Sequence, residues 1–92
     1  MSERQETANY AVALGRAIRV RRLERGLTIA ALACKARMSA VHLGKIERGK
    51  GNPRLPTLCN LAGALEILVS VIFIEAERDV EHKEAKHAAQ TR

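Results

Sequence analysis

Aromatic side chains are nearly missing from this chain, whose 92 residues include one Tyr, one Phe and no Trp. Platforms that stack unpaired bases are made of such rings, so single-stranded nucleic acid is an unsuitable partner and a duplex is favoured. Cysteine is scarce too. Cys34 and Cys59 form no CxxC pair and have no clustered His around them, so they suggest no zinc site; both are expected to line the core as small hydrophobes in a reducing compartment. One Asp, three Ser and three His, without clustered carboxylates, a nucleophile elbow or a phosphate loop, give an enzyme no catalytic set. His82 and His87 lie five apart rather than four, and neither metal nor cofactor is expected. The N-terminus is polar and lacks an apolar signal core. The longest apolar run, Ile67 to Ile74, contains Ser70 and is far too short to span a bilayer. A cytoplasmic protein without membrane attachment is the expectation.

What the chain does have is positive charge, +6 overall. Residues 1–60 carry twelve Lys or Arg against four acids, a net +8; residues 61–92 carry four against six, a net −2. A basic body followed by an acidic, mixed-charge tail points to a phosphate backbone as the body's partner.

The stretch from Ser39 to Gly49 organises the rest. With Ser39 as N-cap, a helix over 40–47 places Leu43, Ile46 and Glu47 on one face and Val41, Gly44, Lys45 and Arg48 on the other, with Ala40 at its edge. That outer face is small and positive, which suits close approach to a polyanion. Gly44 costs about 1 kcal/mol against Ala inside a helix, so its missing side chain should serve a purpose.

Upstream, residues 1–6 read as a flexible start. From about Thr7, Tyr10, Leu14, Ala17, Ile18 and Arg22 recur at helical spacing until Gly26 stops the helix. Arg16, Arg19, Arg21 and Arg25 dress its exposed faces, and one or two of them should meet phosphate. Thr28 caps a second helix, with Leu27 and Leu32 as a staple across the cap. It should end near Ala36 to Met38, so that two short helices flank a tight turn.

Downstream, residues 49–54 are turn chemistry, and a fourth helix begins near Leu55 to Thr57 with Leu58, Leu61, Ala62 and Leu65 as its inner stripe. Residues 67–74 are β-branched yet helically spaced. As a helix, Val69, Ile72, Phe73, Ala76 and Val80 form one apolar stripe, which runs on to an i,i+4 pair of Asp79 and Lys83. As a strand, the segment would pair across a dimer. The helix is favoured, and in either form the surface is too apolar for a lone small domain, which predicts a homodimer through those five residues. Residues 81–92 should extend a solvated helix and fray. The expected divisions are 1–6, a 7–66 DNA-binding domain and a 67–92 dimerisation segment with its charged tail.

Residues Leu14 to about Phe73 resemble the lambda-repressor-like helix-turn-helix domains of the Xre/Cro family, among them phage repressors and restriction-modification controller proteins. The resemblance rests on the ordered set Gly26-Leu27-Thr28, Leu32-Ala33, Ser39, Ile46-Glu47-Arg48-Gly49, Pro53, Thr57-Leu58, Leu61-Ala62 and Ala64-Leu65. It implies an all-α fold: a five-helix domain, usually dimeric, whose third helix enters the major groove, here with a C-terminal helical or strand extension. It also implies a structural pair between Glu47 and Arg22. An acid on the inner face of the third helix needs such a partner, and breaking a buried pair can cost about 3–5 kcal/mol.

Departures from the family pattern shape the expected site. Ile29 stands where similar domains clamp a phosphate with Gln, and Arg37 stands where the turn commonly has Gly, which leaves that turn strained or altered. Ala40, Val41 and Gly44 replace residues that usually hydrogen-bond to bases. Base contact is assigned to Ala40, Val41, Gly44 and Lys45, with apolar contact to thymine methyls and Lys45 on a guanine edge. Indirect readout would supply the rest. Phosphate contact is assigned to Thr28, Ser39, His42, Arg48, Lys50 and Arg54. The expected function is a homodimeric transcriptional regulator, more a repressor than an activator, on double-stranded DNA with an inverted repeat. The alternative is an antitoxin or adaptor whose segment 67–92 binds a partner protein while the helix-turn-helix serves autoregulation.

Overall fold

The computed structural model describes residues 3–90 and the side chains of all but Arg4, Gln5 and residues 87–90. Five helices and no strand occur among the described residues: α1 (Glu3–Glu24), α2 (Ile29–Lys35), α3 (Ala40–Glu47), α4 (Leu55–Ala64) and α5 (Val69–Gln90). Residues 69–74 of the ambiguous run are therefore the start of a helix, and Ile67 and Leu68 lie in the connection before it. Helix α1 begins ahead of the expected Thr7. Glu3 and Glu6 lie in its first turn, where acids complement the helix dipole, and Thr7 Oγ1 donates to the Glu3 carbonyl at 3.0 Å. Met1 and Ser2, the remainder of the expected flexible start, lie outside the described residues, as do Thr91 and Arg92 at the tail.

The short helices are delimited by side-chain caps and left-handed turns. Thr28 Oγ1 accepts the Ala31 N–H and Ser39 Oγ accepts the His42 N–H, each at 3.0 Å. Four helix ends share one closing device: the N–H of Leu27, Met38, Lys50 and Ile67 donates to the carbonyl of Arg22, Ala33, Lys45 and Ala62, respectively. The residue before each of these donors has positive φ: Gly26, Arg37, Gly49 and Glu66. This six-to-one bond is the Schellman closure. Arg37, at φ 57°, occupies its usual glycine position in a strained form, as the departure at that residue implied.

The core forms where α1 to α5 converge. Ile18, Leu32, Leu43, Ile46, Leu61, Leu65 and Ile72 are fully buried, each side chain contributing about 1.5–3 kcal/mol relative to exposure. Helices α1 and α5 run antiparallel: the ion pairs Arg16–Asp79 and Arg21–Glu75 descend along α5 as they ascend α1, and Arg25 just after α1 meets Glu66 just before α5. Ala13, Ala76 and Val80 form a second buried cluster where these helices meet. No single described helix is long and apolar enough to cross a membrane.

Two expectations are corrected here. Ile72, Ala76 and Val80, expected at a dimer interface, are buried within the chain, while Val69 and Phe73 are half-buried against the same core. The physical reason is the surface of α1, where small Ala13 and Ala17 admit the α5 stripe closely. Cys34 and Cys59 are exposed rather than core-lining. Cys34 falls off the inner set Leu32, Ala33 and Ala36, and Cys59 falls off the set Leu58, Leu61, Ala62 and Leu65.

Candidate nucleic-acid interface

Helix α3 is held from behind by an ion pair. Arg22 Nε donates to Glu47 Oε2 at 2.8 Å, Nη2 donates to Oε1 at 3.0 Å, and Nη1 donates to the Leu27 carbonyl at 2.8 Å. The two side chains are 9% and 4% exposed, so this bidentate geometry satisfies charges that burial alone would make costly. Hydrogen bonding to Glu47 raises the Arg22 pKa, outweighing the opposing effect of burial. One guanidinium thereby joins α1, the turn after it and the end of α3.

A close backbone approach, which the sequence pattern did not flag, fixes the same junction. A Cβ on Gly15 would lie 2.2 Å from the Ile46 carbonyl oxygen and 2.9 Å from that of Glu47. Only glycine lets α1 lie this close to the end of α3. The available signal was an isolated Gly inside a helical pattern, which usually has a packing reason.

With Leu43 and Ile46 turned inward, α3 presents Ala40, Val41, His42, Lys45 and Arg48 to solvent. Val41 is 69% exposed. Gly44 is not on that face. It is buried, and a Cβ there would lie 3.2 Å from Arg48 Nη1, so the Arg48 side chain folds back over it. The reason is its position three residues before Glu47, on the flank that the Arg22 pair draws toward α1. The expected base contact at Gly44 therefore loses its outward placement.

Thr28 and Ser39 are exposed at their caps; each hydroxyl oxygen accepts a backbone N–H and keeps its own proton to donate. Lys50 and Arg54 lie exposed on the connection between α3 and α4. Among the described residues, Lys45, Arg48, Lys50 and Arg54 have no carboxylate partner. By contrast, Arg16, Arg21 and Arg25 are neutralised by acids in or just before α5. Four of the unbalanced cations thus lie on α3 and the loop after it, while, among the described residues, Arg19, Lys35 and Arg37 are unpaired on α1, α2 and the turn after α2.

The model of a helix-turn-helix domain family matches residues 13–68, more than half of the chain. The chain belongs to this helix-turn-helix family. Its sequence is similar to the immunity repressor protein of Bacillus phage phi105, with 48% identity over 62 residues, covering 67% of this chain and 43% of the repressor. This chain thus spans less than half the length of that relative. Among solved structures, this helix-turn-helix chain is similar to the clp gene regulator ClgR from Corynebacterium glutamicum, with a TM-score of 0.84, 29% identity, and coverage of 89% of this chain and 87% of that one. It is also similar to the restriction-modification controller protein C.AhdI from Aeromonas hydrophila, with a TM-score of 0.67, 31% identity, and coverage of 67% and 94%. The chain is a transcription-regulator type of helix-turn-helix domain, as its Xre/Cro resemblance implied.

Proposed function

We propose that this protein is a homodimeric, sequence-specific transcriptional repressor that inserts α3 into the major groove of an inverted repeat in cytoplasmic DNA, without an enzymatic step. The observation that carries this reading is the face of α3 itself. It is small, uncharged at Ala40 and Val41, and flanked by Lys45, Arg48, Lys50 and Arg54, whose charges no carboxylate among the described residues balances. Ala40 and Val41 suit contact with thymine methyls and Lys45 suits a guanine edge. Thr28, Ser39, His42, Arg48, Lys50 and Arg54 would fix register on the backbone.

With Ile72, Ala76 and Val80 committed to the core, a second copy would be met by apolar residues that remain exposed, such as Leu68 at 74% and Ile74 at 47% around the start of α5. The partner-binding alternative loses its buried stripe in the same way and, among the described residues, is left with the same exposed Leu68 and Ile74 and the exposed, charged stretch 81–86. Selection of duplexes from a random pool by the purified protein, followed by sequencing, tests the reading. Enrichment of an inverted repeat with half-sites about one turn apart supports it. Salt-sensitive retention without any motif would leave the sequence-specific claim without support.

A further inference from the structure

Five arginines lie between residues 16 and 25 of the chain, and four of them have carboxylate partners. Arg16 donates to Asp79 at 3.3 Å, Arg21 to Glu75 at 2.9 Å, Arg22 to Glu47 at 2.8 Å, and Arg25 to Glu66. Arg19 is exposed and has none among the described residues. It lines a solvent-open groove of about 550 Å³ together with Arg48, the other unpartnered arginine there. Val12, Ile29 and Gly44 share the lining, as do Arg16 and Arg22, whose guanidiniums are already paired. The single carboxylate in the groove wall, Glu47, is occupied on both oxygens by Arg22. Two guanidiniums thus face an opening whose lining offers no anion to balance them.

We propose that Arg19 and Arg48 together hold one backbone phosphate of duplex DNA in this groove, making the contact that the apolar side chain of Ile29 cannot make. The proposal rests on the DNA-binding reading above. Two guanidinium forks can share the oxygens of one phosphodiester. The groove also gives Gly44 its purpose. A Cβ there would press on Arg48 Nη1 at 3.2 Å, so the bare position lets Arg48 lie along α3 beside the groove. The occupant is a duplex phosphate because the groove borders the exposed face of α3, where other unbalanced cations lie.

The test is fluorescence anisotropy of a labelled short duplex of arbitrary sequence, titrated at several KCl concentrations with wild type, Arg19→Ala, Arg48→Ala, the double variant and Arg25→Ala. Each lost phosphate contact lowers the slope of log affinity against log salt by about 0.9. Arg19→Ala and Arg48→Ala should each weaken binding severalfold without changing the melting temperature. Because they share one phosphate, the double variant should lose about one contact's worth of slope, while Arg25→Ala keeps the wild-type slope. Ile29→Gln should restore affinity in Arg19→Ala more than it adds to wild type. Wild-type binding with an unchanged slope in Arg19→Ala, or a double variant that loses two contacts' worth, would overturn the shared clamp alone. Wild type that retains no duplex would overturn both the clamp and the DNA-binding reading. Tight binding of inorganic phosphate alone, without a slope change on DNA, would make the groove a free-anion site instead.

Discussion

At the residue scale, the Arg22–Glu47 pair links sequence to recognition. Both side chains are nearly buried, yet they fix the end of α3 to α1 and so bear on how that helix projects. Removing Glu47 would leave a buried guanidinium with only the Leu27 carbonyl as acceptor. Glu47→Ala should therefore destabilise the fold by about 3–5 kcal/mol, measured by urea unfolding; an unchanged midpoint would contradict a structural role for the pair. The raised Arg22 pKa has a defined pH consequence. A cation whose folded pKa is raised contributes stability that is fully present below its unfolded pKa and is lost as pH rises through the folded value. For an arginine that window lies at strongly alkaline pH, so from the Arg22 side the pair contributes throughout the neutral range.

At the element scale, helix boundaries and caps were largely legible because local chemistry determines them. Thr28 and Ser39 could be read as caps from the residues alone, Pro56 marked the first turn of α4, and the stripe from Leu58 to Leu65 faced the core as its spacing required. Contacts between elements were less legible. The exposure of Cys34 and Cys59 could have been read from their offset against the inner stripes, but the burial of Gly44 depends on where α1 lies, which no local pattern records. Gly15 is the clearest instance, since its role exists only in the approach of α1 to α3. Gly15→Ala would drive a methyl group into two backbone carbonyls that cannot rotate away. Although Ala is the better helix former, the substitution should destabilise by about 1–3 kcal/mol or more. A melting temperature equal to or above wild type would refute the close packing.

At the scale of the whole molecule, the division into a basic body and an acidic tail takes a specific form. The acids Glu66, Glu75 and Asp79 neutralise Arg25, Arg21 and Arg16 in and just after α1, while among the described residues the cations of α3 and its following loop have no carboxylate partner. Overall charge suggested a nucleic-acid partner, but only the fold separates the neutralised arginines from the available ones. The same fold redirects the α5 stripe from a second copy to α1. Periodicity identified that stripe as apolar but could not say what would cover it.

The central claim is that the exposed face of α3 meets the major groove, and Val41 tests it most directly. This side chain is 69% exposed, so Val41→Asp should leave the melting temperature nearly unchanged while placing an anion against DNA. The measurement is the affinity of wild type and Val41→Asp for the selected duplex at one salt concentration. A like charge at an interface costs several kcal/mol, so the folded variant should bind at least about tenfold more weakly. Equal affinity for the two proteins would place the DNA-binding surface elsewhere on the molecule.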